Sequence, residues 1–451
     1  MTSPPSSNGL TVDSIRDCLE GVIPAAIATS DADGTPNVSF LSQVHYVDSG
    51  RVALTYQFFN KTRANILANP TATVQLVDPA TAAQYRLTLR YLHTETSGPL
   101  FESMKAKLAG IASHVGMQGV YRLLGADLYE VQRIEVVPGA TLPPPVHKRG
   151  LLPAVRRSCE GMLACADLSE LLDRALADLR AGFGIEHALV LMLDECAGRL
   201  YTVAAMGYSV SGVGSEVALG DGVIGVAARE RTPIRVTHMT TDYAYSRAVR
   251  ASVADAGVEL APVTEIPFPG LPEPHSQLAV PILAGPKLVG VLFVESPQEM
   301  RFCYDDEDAL ATLAAQLGAM ILAFRQQAAP PEEAAEDGSV PADGAAAVIR
   351  HYAADDSVFI DHDYLIKGVA GAIFWKLARD YVRQGRTDFS NRELRLAPDI
   401  RLPDLAENLE ARLILLQRRL AERCPFLGIE KTGRGRFRLV VQRPLALEDM
   451  A

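Results

Sequence analysis

Lys61, Thr62 and Arg63 are adjacent at a point where a strand pattern gives way to a helix pattern. Residues 51–56 alternate apolar side chains as a half-buried strand does, and Asn69-Pro70 ends the short helix that follows. Because a helix start carries unpaired N–H groups and the positive end of the helix dipole, two cations and a hydroxyl there favour a phosphate. The alternative is an ordinary strand-to-helix turn with solvated basic residues.

A second set of candidate residues is basic and lies near the C-terminus. A helix pattern runs from 403 to 423 and a hairpin pattern from 427 to 441. The segment from Leu405 to Val440 contains eight Lys or Arg and only four Glu, whereas the whole chain has a net charge of -11. A basic helix flank beside a basic hairpin fits contact with the phosphates of duplex DNA. The alternative is a protein-contact module with a solvated arginine face. The predicted DNA-binding residues are Asn408, Arg412, Arg419, Arg423, Lys431, Arg434, Arg436 and Arg438.

Composition indicates about three domains, because 451 residues with 48% hydrophobic content can bury several cores. No apolar run reaches the roughly 20 residues that span a bilayer, and the N-terminus lacks a signal-peptide pattern, so we expect a cytoplasmic protein without a membrane segment. The 6 cysteines are scattered, which predicts no metal site. Two breaks in the pattern give predicted units at 10–140, 155–326 and 348–445, with a disordered acidic linker at 327–347.

The first unit resembles the pyridoxamine-5'-phosphate-oxidase-like FMN-binding split barrels. The resemblance rests on the sequence Lys-Thr-Arg-x-Asn with Asn-Pro between two strands, and on the hairpin turn at 31–36. It implies a split β-barrel that holds FMN through Tyr56, Gln57, Asn60, Lys61, Thr62, Arg63 and Asn65. The only tryptophan, Trp375, lies far from this unit, so oxidation of pyridoxamine phosphate itself is not expected. Some split barrels bind haem or a deazaflavin instead, and His45, His93 and His114 are then conceivable iron ligands, although a lone histidine in a barrel is usually a packed or surface residue.

The second unit resembles a GAF domain in residues 219–229 and in the apolar hairpin at 278–295. The resemblance implies an α/β sandwich that binds an unidentified small molecule. Leucine stripes at 168–179 and 310–324 precede and follow the sheet at helical spacing. Each stripe could cover its own sheet, but we expect a homodimer whose helical bundle uses both of them.

The third unit resembles the winged-helix DNA-binding domain of the OmpR/PhoB type. Helix patterns at 367–381 and 403–423 flank a capping box at Ser390–Glu393, and the hairpin follows. The closest matches to that family are Leu416-Gln-Arg-Arg-Leu420 and Gly433-Arg-Gly-Arg-Phe-Arg438.

These resemblances together predict a multidomain α+β protein with a split barrel, a GAF sandwich and a winged helix. The function predicted is a ligand- or redox-responsive transcription regulator. One alternative is a flavin-dependent oxidoreductase with regulatory GAF and winged-helix domains, and a second is a non-catalytic signalling scaffold. We favour a regulator over an enzyme because the sequence offers no catalytic triad and no paired carboxylates near Lys61.

Overall fold

The structure is a computed structural model that describes residues 9–20, 23–41, 43–56, 60–114, 123–143, 150–195, 197–237, 266–326, 346–398, 400, 409–433 and 435–450. Three predicted site residues, Gln57, Asn408 and Arg434, lie outside these ranges, as does most of the predicted linker. The described residues form three units, each built around its own sheet.

The first unit is a seven-stranded antiparallel sheet in the order β2-β1-β5-β6-β7-β4-β3. Buried side chains from both ends of the sheet, among them Ile27, Leu41 and Val44, belong to one core, so the sheet curls around that core. A 3-10 helix at Val12–Leu19 covers part of it. The elements are β1 (Ala25–Ser30), β2 (Pro36–Leu41), β3 (Val44–Asp48), β4 (Arg51–Tyr56), α1 (Asn60–Ala68), β5 (Thr71–Val77), β6 (Gln84–Glu95), α2 (Pro99–His114) and β7 (Gly125–Val137).

The turn between β1 and β2 is built by local chemistry that the sequence predicts. Oδ1 of Asp31 accepts hydrogen bonds from the backbone N–H groups of Asp33 and Thr35, at 3.1 and 2.8 Å. Gly34 has a φ of 83°, which a residue with a side chain rarely adopts. This hairpin matters for the site, because Asp31 and β2 both face the start of α1.

The second unit is a six-stranded sheet in the order β10-β9-β8-β13-β12-β11. Helices α3, α4 and α6 contribute to the core on one face, and α5 contributes to the core on the other. The elements are α3 (Leu152–Leu163), α4 (Leu168–Phe183), β8 (His187–Asp194), β9 (Arg199–Met206), β10 (Glu216–Ala218), α5 (Gly222–Glu230), β11 (Ile234–Val236), β12 (Ser276–Ala284), β13 (Lys287–Ser296) and α6 (Tyr304–Gln326).

The two leucine stripes of this unit pack within one chain. Leu171 and Leu172 of α4, and Leu310 and Leu317 of α6, are each 0% exposed. At Gly318 an added Cβ would lie 1.9 Å from the carbonyl oxygen of Leu283, so α6 lies directly on β12. The stripes therefore cover their own sheet and do not offer the free bundle surface that we expected. Among the described residues, α6 is the one helix long and apolar enough to cross a membrane, and the core of a globular domain buries such helices equally well.

The described residues of the third unit form two small sheets and three helices. A four-stranded sheet has the order β16-β15-β14-β20 and a three-stranded sheet the order β17-β19-β18. The first sheet was not predicted; it begins at Ala347 and ends at Met450, beyond the predicted limits of 348 and 445. The elements are β14 (Ala347–Tyr352), β15 (Ser357–Ile360), β16 (Asp363–Ile366), α7 (Gly368–Gln384), β17 (Asp388–Ser390), α8 (Asn391–Leu396), α9 (Leu409–Arg423), β18 (Leu427–Gly433), β19 (Arg436–Val441) and β20 (Leu445–Met450).

Helix ends in this unit follow the predicted signals. Oγ of Ser390 accepts a hydrogen bond from the N–H of Glu393 at 3.2 Å and caps α8. Gly385 ends α7 with a φ of 69°. The order helix, short strand, two helices and hairpin places α9 directly before the hairpin formed by β18 and β19.

Candidate functional site

The start of α1 brings the three predicted phosphate-binding residues together in sequence, but their side chains point to different partners. Nζ of Lys61 lies 3.0 Å from Oδ2 of Asp31. The hydroxyl of Thr62 is buried and accepts a hydrogen bond from Nδ2 of Asn37 at 2.9 Å, with Oγ of Ser39 at 3.1 Å. The hairpin of β1 and β2 therefore engages both side chains.

The side chain of Arg63 points away from this hairpin and forms an ion pair beside two tyrosine rings. Its Nη1 lies 2.6 Å from Oδ1 of Asp127 on β7. Its guanidinium carbon lies 4.8 Å from the ring centre of Tyr56 and 5.4 Å from that of Tyr91. Thr94 also donates to Asp127 at 2.6 Å. Burial raises the pKa of Asp127, and the hydrogen bond from Thr94 and the charge of Arg63 oppose that rise.

Asn65 lies below this surface. It is 1% exposed, and its Nδ2 donates to the hydroxyl of Thr29 at 3.1 Å. Its Oδ1 is buried without a hydrogen-bond partner among the described residues. Asn60 begins α1.

These contacts decide how well the residues fit a flavin phosphate. Lys61 and Arg63 each already hold a carboxylate, and the Thr62 hydroxyl is engaged by β2. The described residues thus contain the groups that a phosphate requires, but these groups are already paired. A phosphate would have to displace Asp31 from Lys61 and Asp127 from Arg63. Sequence reasoning missed Asp127 and Tyr91, because neither stands near α1 in sequence.

The histidines considered as iron ligands lie on three different elements, β3, β6 and α2. His45 is buried, and burial together with the charges of Lys107 and Arg235 lowers its pKa well below the usual value. His93 is exposed, with Nε2 3.4 Å from Oε1 of Glu95. His114 is the last residue of α2.

The helix predicted to read DNA, α9, is held against the second unit. Arg412 forms an ion pair with Asp194, and its guanidinium carbon lies 3.9 Å from the ring centre of Tyr201. Arg419 is 3% exposed; its Nε donates to the carbonyl oxygen of Leu365 at 3.2 Å. Burial lowers the pKa of Arg419. Neither arginine lies on a free surface in this structure, because both are used in contacts within the chain.

Further contacts tie the same two units together. Arg418 of α9 donates to the carbonyl oxygen of Val203 at 3.0 Å and to Oδ1 of Asp173 at 2.7 Å. Nζ of Lys431 lies 2.5 Å from Oδ2 of Asp167. The remaining predicted residues have different environments. Arg438 pairs with Asp388 of its own unit at 3.1 Å, Arg423 is exposed and Arg436 is half-buried. The predicted basic surface is therefore partly occupied by the GAF unit.

A buried ion cluster that the sequence did not predict joins the first two units. Arg235 of β11 is 0% exposed, and its guanidinium lies 2.6 Å from Oε2 of Glu20 and 2.7 Å from Oε2 of Glu307. Nη1 also donates to the carbonyl oxygen of Phe302 at 3.0 Å. The sequence does contain one indication of this cluster, because Arg235 is a charged residue inside the apolar strand Ile-Arg-Val. Nothing in the sequence, however, identifies Glu20 as the partner of Arg235.

Lys107 and Tyr304 complete this cluster. Nζ of Lys107 donates to the Tyr304 hydroxyl at 2.9 Å and lies 4.2 Å from the centre of its ring. The Tyr304 N–H donates to Oε1 of Glu20 at 2.8 Å. Burial lowers the pKa of Lys107 to about 7, and the charge of Arg235 adds to this effect. The cluster thus sets side chains from α2 against the first turn of α6.

Comparison with known families now identifies two of the three units. Residues 11–124 match the family model described as pyridoxamine 5'-phosphate oxidase, and residues 165–322 match that of the GAF domain. The chain contains a pyridoxamine-phosphate-oxidase-like domain followed by a GAF domain. Both assignments, and the multidomain α+β class, confirm the prediction from sequence. No curated protein matches the chain.

Several solved structures are similar to parts of the chain. The GAF domain of a phosphoenolpyruvate-protein phosphotransferase from Acinetobacter is 21% identical, over 39% of this chain and 96% of that chain, with a TM-score of 0.30. Free methionine-R-sulfoxide reductase from Neisseria meningitidis is 19% identical, over 40% and 92%, with a TM-score of 0.30. An FMN-binding protein from Syntrophomonas wolfei is 13% identical, over 28% and 84%, with a TM-score of 0.24. Similarity at this level carries no argument about function.

Proposed function

We propose that the protein is a cytoplasmic ligand- or redox-responsive transcription regulator, in which the pyridoxamine-phosphate-oxidase-like and GAF domains control a DNA-binding C-terminal unit. The order of elements from α7 to β19 supports a winged helix, because three helices precede a two-stranded hairpin. The basic residues of α9 and the hairpin support contact with DNA phosphates. A homodimer and a small-molecule ligand of the GAF domain are parts of the same proposal.

The observation that carries this proposal is the position of α9. The helix that would enter the major groove is bound to the GAF sheet through Arg412 and Arg418, with Lys431 of the hairpin holding α4. In this arrangement Arg412 and Arg418 are neutralised by carboxylates of the GAF unit. DNA and the GAF unit therefore compete for the same side chains, and a ligand that weakens the contact would free α9 for DNA.

The test compares the full chain with a release variant, Asp173→Asn/Asp194→Asn. Because DNA affinity also depends on net charge, the control Asp33→Asn/Glu273→Gln removes the same two charges at exposed positions away from α9. Each protein is used to select from a randomised duplex library, and the affinity for the selected duplex is measured at several salt concentrations. The release variant should bind roughly 10-fold or more tightly than the control, since loss of the mostly buried Arg412–Asp194 pair weakens the competing contact by about 1.5–3 kcal/mol and loss of the exposed Arg418–Asp173 pair by about 1 kcal/mol or less.

Salt dependence identifies the phosphate contacts. The logarithm of affinity should fall with the logarithm of salt concentration with a slope of about -0.9 per phosphate contacted. Arg423→Ala and Arg436→Ala should each flatten the slope by about one unit. If no duplex is selected even by the release variant, the C-terminal unit does not bind DNA.

That negative outcome would favour a second candidate, a signalling scaffold. The burial of Arg412 and Arg419 against other parts of the chain supports it, because α9 already serves as a protein-contact helix. DNA binding by the release variant that is about 10-fold or more tighter than binding by the control would exclude the scaffold.

We also propose that the first domain binds FMN, with haem or a deazaflavin as alternatives. The family match supports a flavin, and Arg63 lies over the rings of Tyr56 and Tyr91 as a cation that a phosphate could take over from Asp127. A flavin-dependent oxidoreductase is a further candidate because the matched family is named for an oxidase. The absorption spectrum of the purified protein distinguishes these cofactors: a flavin is yellow and haem is red. Steady oxidation of a reduced nicotinamide would favour the enzyme.

A further inference from the structure

A cavity of about 530 Å³ lies between the GAF domain and the C-terminal unit. One wall is the start of α4 together with Phe324 near the end of α6. The opposite walls are α8, α9 and the hairpin of β18 and β19. Its volume lies in the range of roughly 300–1,000 Å³ that is usual for sites holding small molecules.

The inner surface of the cavity is apolar. Leu168 from the GAF domain and Ile414, Ile429 and Phe437 from the C-terminal unit all line it, and each is a buried member of the core that the two units share. Phe324 and Leu413 add further apolar surface. A ligand here would therefore bury a hydrocarbon or aromatic body against side chains of both units.

The polar groups of the cavity are mainly cationic. Arg392, Arg395 and Arg436 line it, and none of them forms an ion pair with a carboxylate among the residues that the structure describes. Lys431 is also present but is neutralised by Asp167, and Glu410 is the other carboxylate of the lining. The cavity therefore combines an apolar floor with an excess of positive charge.

Some arginines of this unit are neutralised within it. Arg386 forms an ion pair with Glu393, and Arg350 lies 2.8 Å from Oε2 of Glu448. The three arginines at the cavity lie on α8 and β19 and form no such pair among the described residues. Guanidinium groups without a carboxylate partner bind carboxylates, sulfonates and phosphates well, because their planar fork of donors matches those anions.

We propose that this cavity binds a small amphipathic organic anion, with its apolar body against Leu168, Ile414 and Phe437 and its anionic group held by Arg395 and Arg436. The ligand contacts the GAF domain and the C-terminal unit at once. It therefore stabilises the arrangement in which α9 lies against the GAF sheet. The site exists whether or not the C-terminal unit binds DNA.

The test uses 8-anilinonaphthalene-1-sulfonate, an aromatic anion that fluoresces when it enters an apolar site, with the full chain. N-phenyl-1-naphthylamine, which has the same rings and no sulfonate, serves as the neutral probe. Arg395→Ala/Arg436→Ala removes the cations. Arg86→Ala/Arg383→Ala is the matched control, because both of these arginines are exposed and neither lines the cavity. Gln417→Trp fills the cavity from an exposed position on α9 that lines it.

We expect saturable binding of the sulfonate to the parent and to the control. The cation-deficient variant should bind the sulfonate about 10-fold or more weakly, while its affinity for the neutral probe changes by less than about 2-fold. Gln417→Trp should weaken binding of both probes. The single variant Arg395→Ala should reproduce part of the loss, which separates this site from any DNA contact made by Arg436.

Three results would overturn the proposal. They are a parent that does not bind the sulfonate saturably, equal sulfonate affinity in the parent and the cation-deficient variant, and equal loss of both probes in that variant. The last result would show that the arginines maintain the shape of the cavity and do not hold an anion. None of these results depends on the outcome of the DNA selection.

Discussion

Lys107 makes the stability of the chain depend on pH in a direction that can be calculated. Its side chain is 4% exposed, lies 4.2 Å from the ring centre of Tyr304 and has Arg235 as a nearby cation. Burial is the main reason that its pKa falls from 10.5 to about 7, and the positive charge of Arg235 adds to it. The carboxylates of Glu20 and Glu307 act in the opposite direction.

The sign follows from where the proton resides. Between pH 7 and 10.5 the unfolded chain holds a proton on Lys107 and the folded chain does not, so the free energy of unfolding rises with pH. The slope is about 1.4 kcal/mol per pH unit in the middle of that window and vanishes below pH 7, where both states are protonated. Raising the pH from 7 to 9 should therefore stabilise the folded chain by about 2 kcal/mol through this residue alone.

The measurement compares the parent with Lys107→Met in urea unfolding followed by circular dichroism. Other titrating groups cancel when the two proteins are compared at the same pH. The stability of the parent relative to the variant should increase by about 2 kcal/mol between pH 7 and 9. Lys105→Met is the control, since Lys105 lies on the same helix with its side chain 57% exposed. A difference that stays constant, or that falls as the pH rises, would show that Lys107 is charged in the folded state and would refute the reasoning.

Three further predictions concern separate parts of the chain. Arg235→Ala should lower the free energy of unfolding by about 3–5 kcal/mol, because it leaves the buried carboxylate of Glu20 and the partly buried carboxylate of Glu307 without their ion-pair partner; Arg235→Ala/Glu20→Gln/Glu307→Gln should recover part of the loss in the same urea experiment. Leu317→Glu should lower the melting temperature of the chain and should not separate a folded dimer into folded monomers, because Leu317 is 0% exposed within its own chain. Light scattering that finds a dimeric parent and a folded monomeric variant would contradict this. Arg63→Ala should reduce flavin retention roughly 10-fold, measured by absorbance after gel filtration, and equal flavin content in parent and variant would remove Arg63 from the site.

Local signals were sufficient for much of the fold. The turn after β1, the cap at Ser390 and the end of α7 at Gly385 depend on residues a few positions apart, and each is as predicted. The GAF and pyridoxamine-phosphate-oxidase-like assignments also succeeded, because their motifs are contiguous in sequence. The four-stranded sheet of the third unit was missed. Its strands β15 and β16 are only 4 residues long, and β14 pairs in parallel with β20, so that Ala347 lies opposite Leu445.

The candidate sites were harder to predict, because their partners are distant in sequence. The sequence predicts Arg63 as a phosphate-binding cation, but its partner Asp127 lies 64 positions later. Arg412 and Arg419 recur at helical spacing on one flank of α9, which indicates a shared face but not what covers it. In the structure that face meets Asp194 of the GAF sheet and Leu365 of the third unit. A sequence pattern predicts which side chains share a surface, whereas pairing between domains decides whether the surface is free.

Helix α6 connects the two interfaces that the sequence did not predict. Its first residue, Tyr304, lies in the buried cluster with Glu20 and Lys107, and Phe324 near its other end lines the cavity beside α9. A helix of 23 residues spans roughly 34 Å, and its apolar face is fixed on β12 by Gly318. If a change at Tyr304 is transmitted to the cavity through α6, this helix would move as a body or change its tilt on the sheet. The close contact at Gly318 resists sliding, since the backbone there already lies against the carbonyl oxygen of Leu283. We therefore expect a movement of α6 that links the first domain to α9 to be a tilt about Gly318.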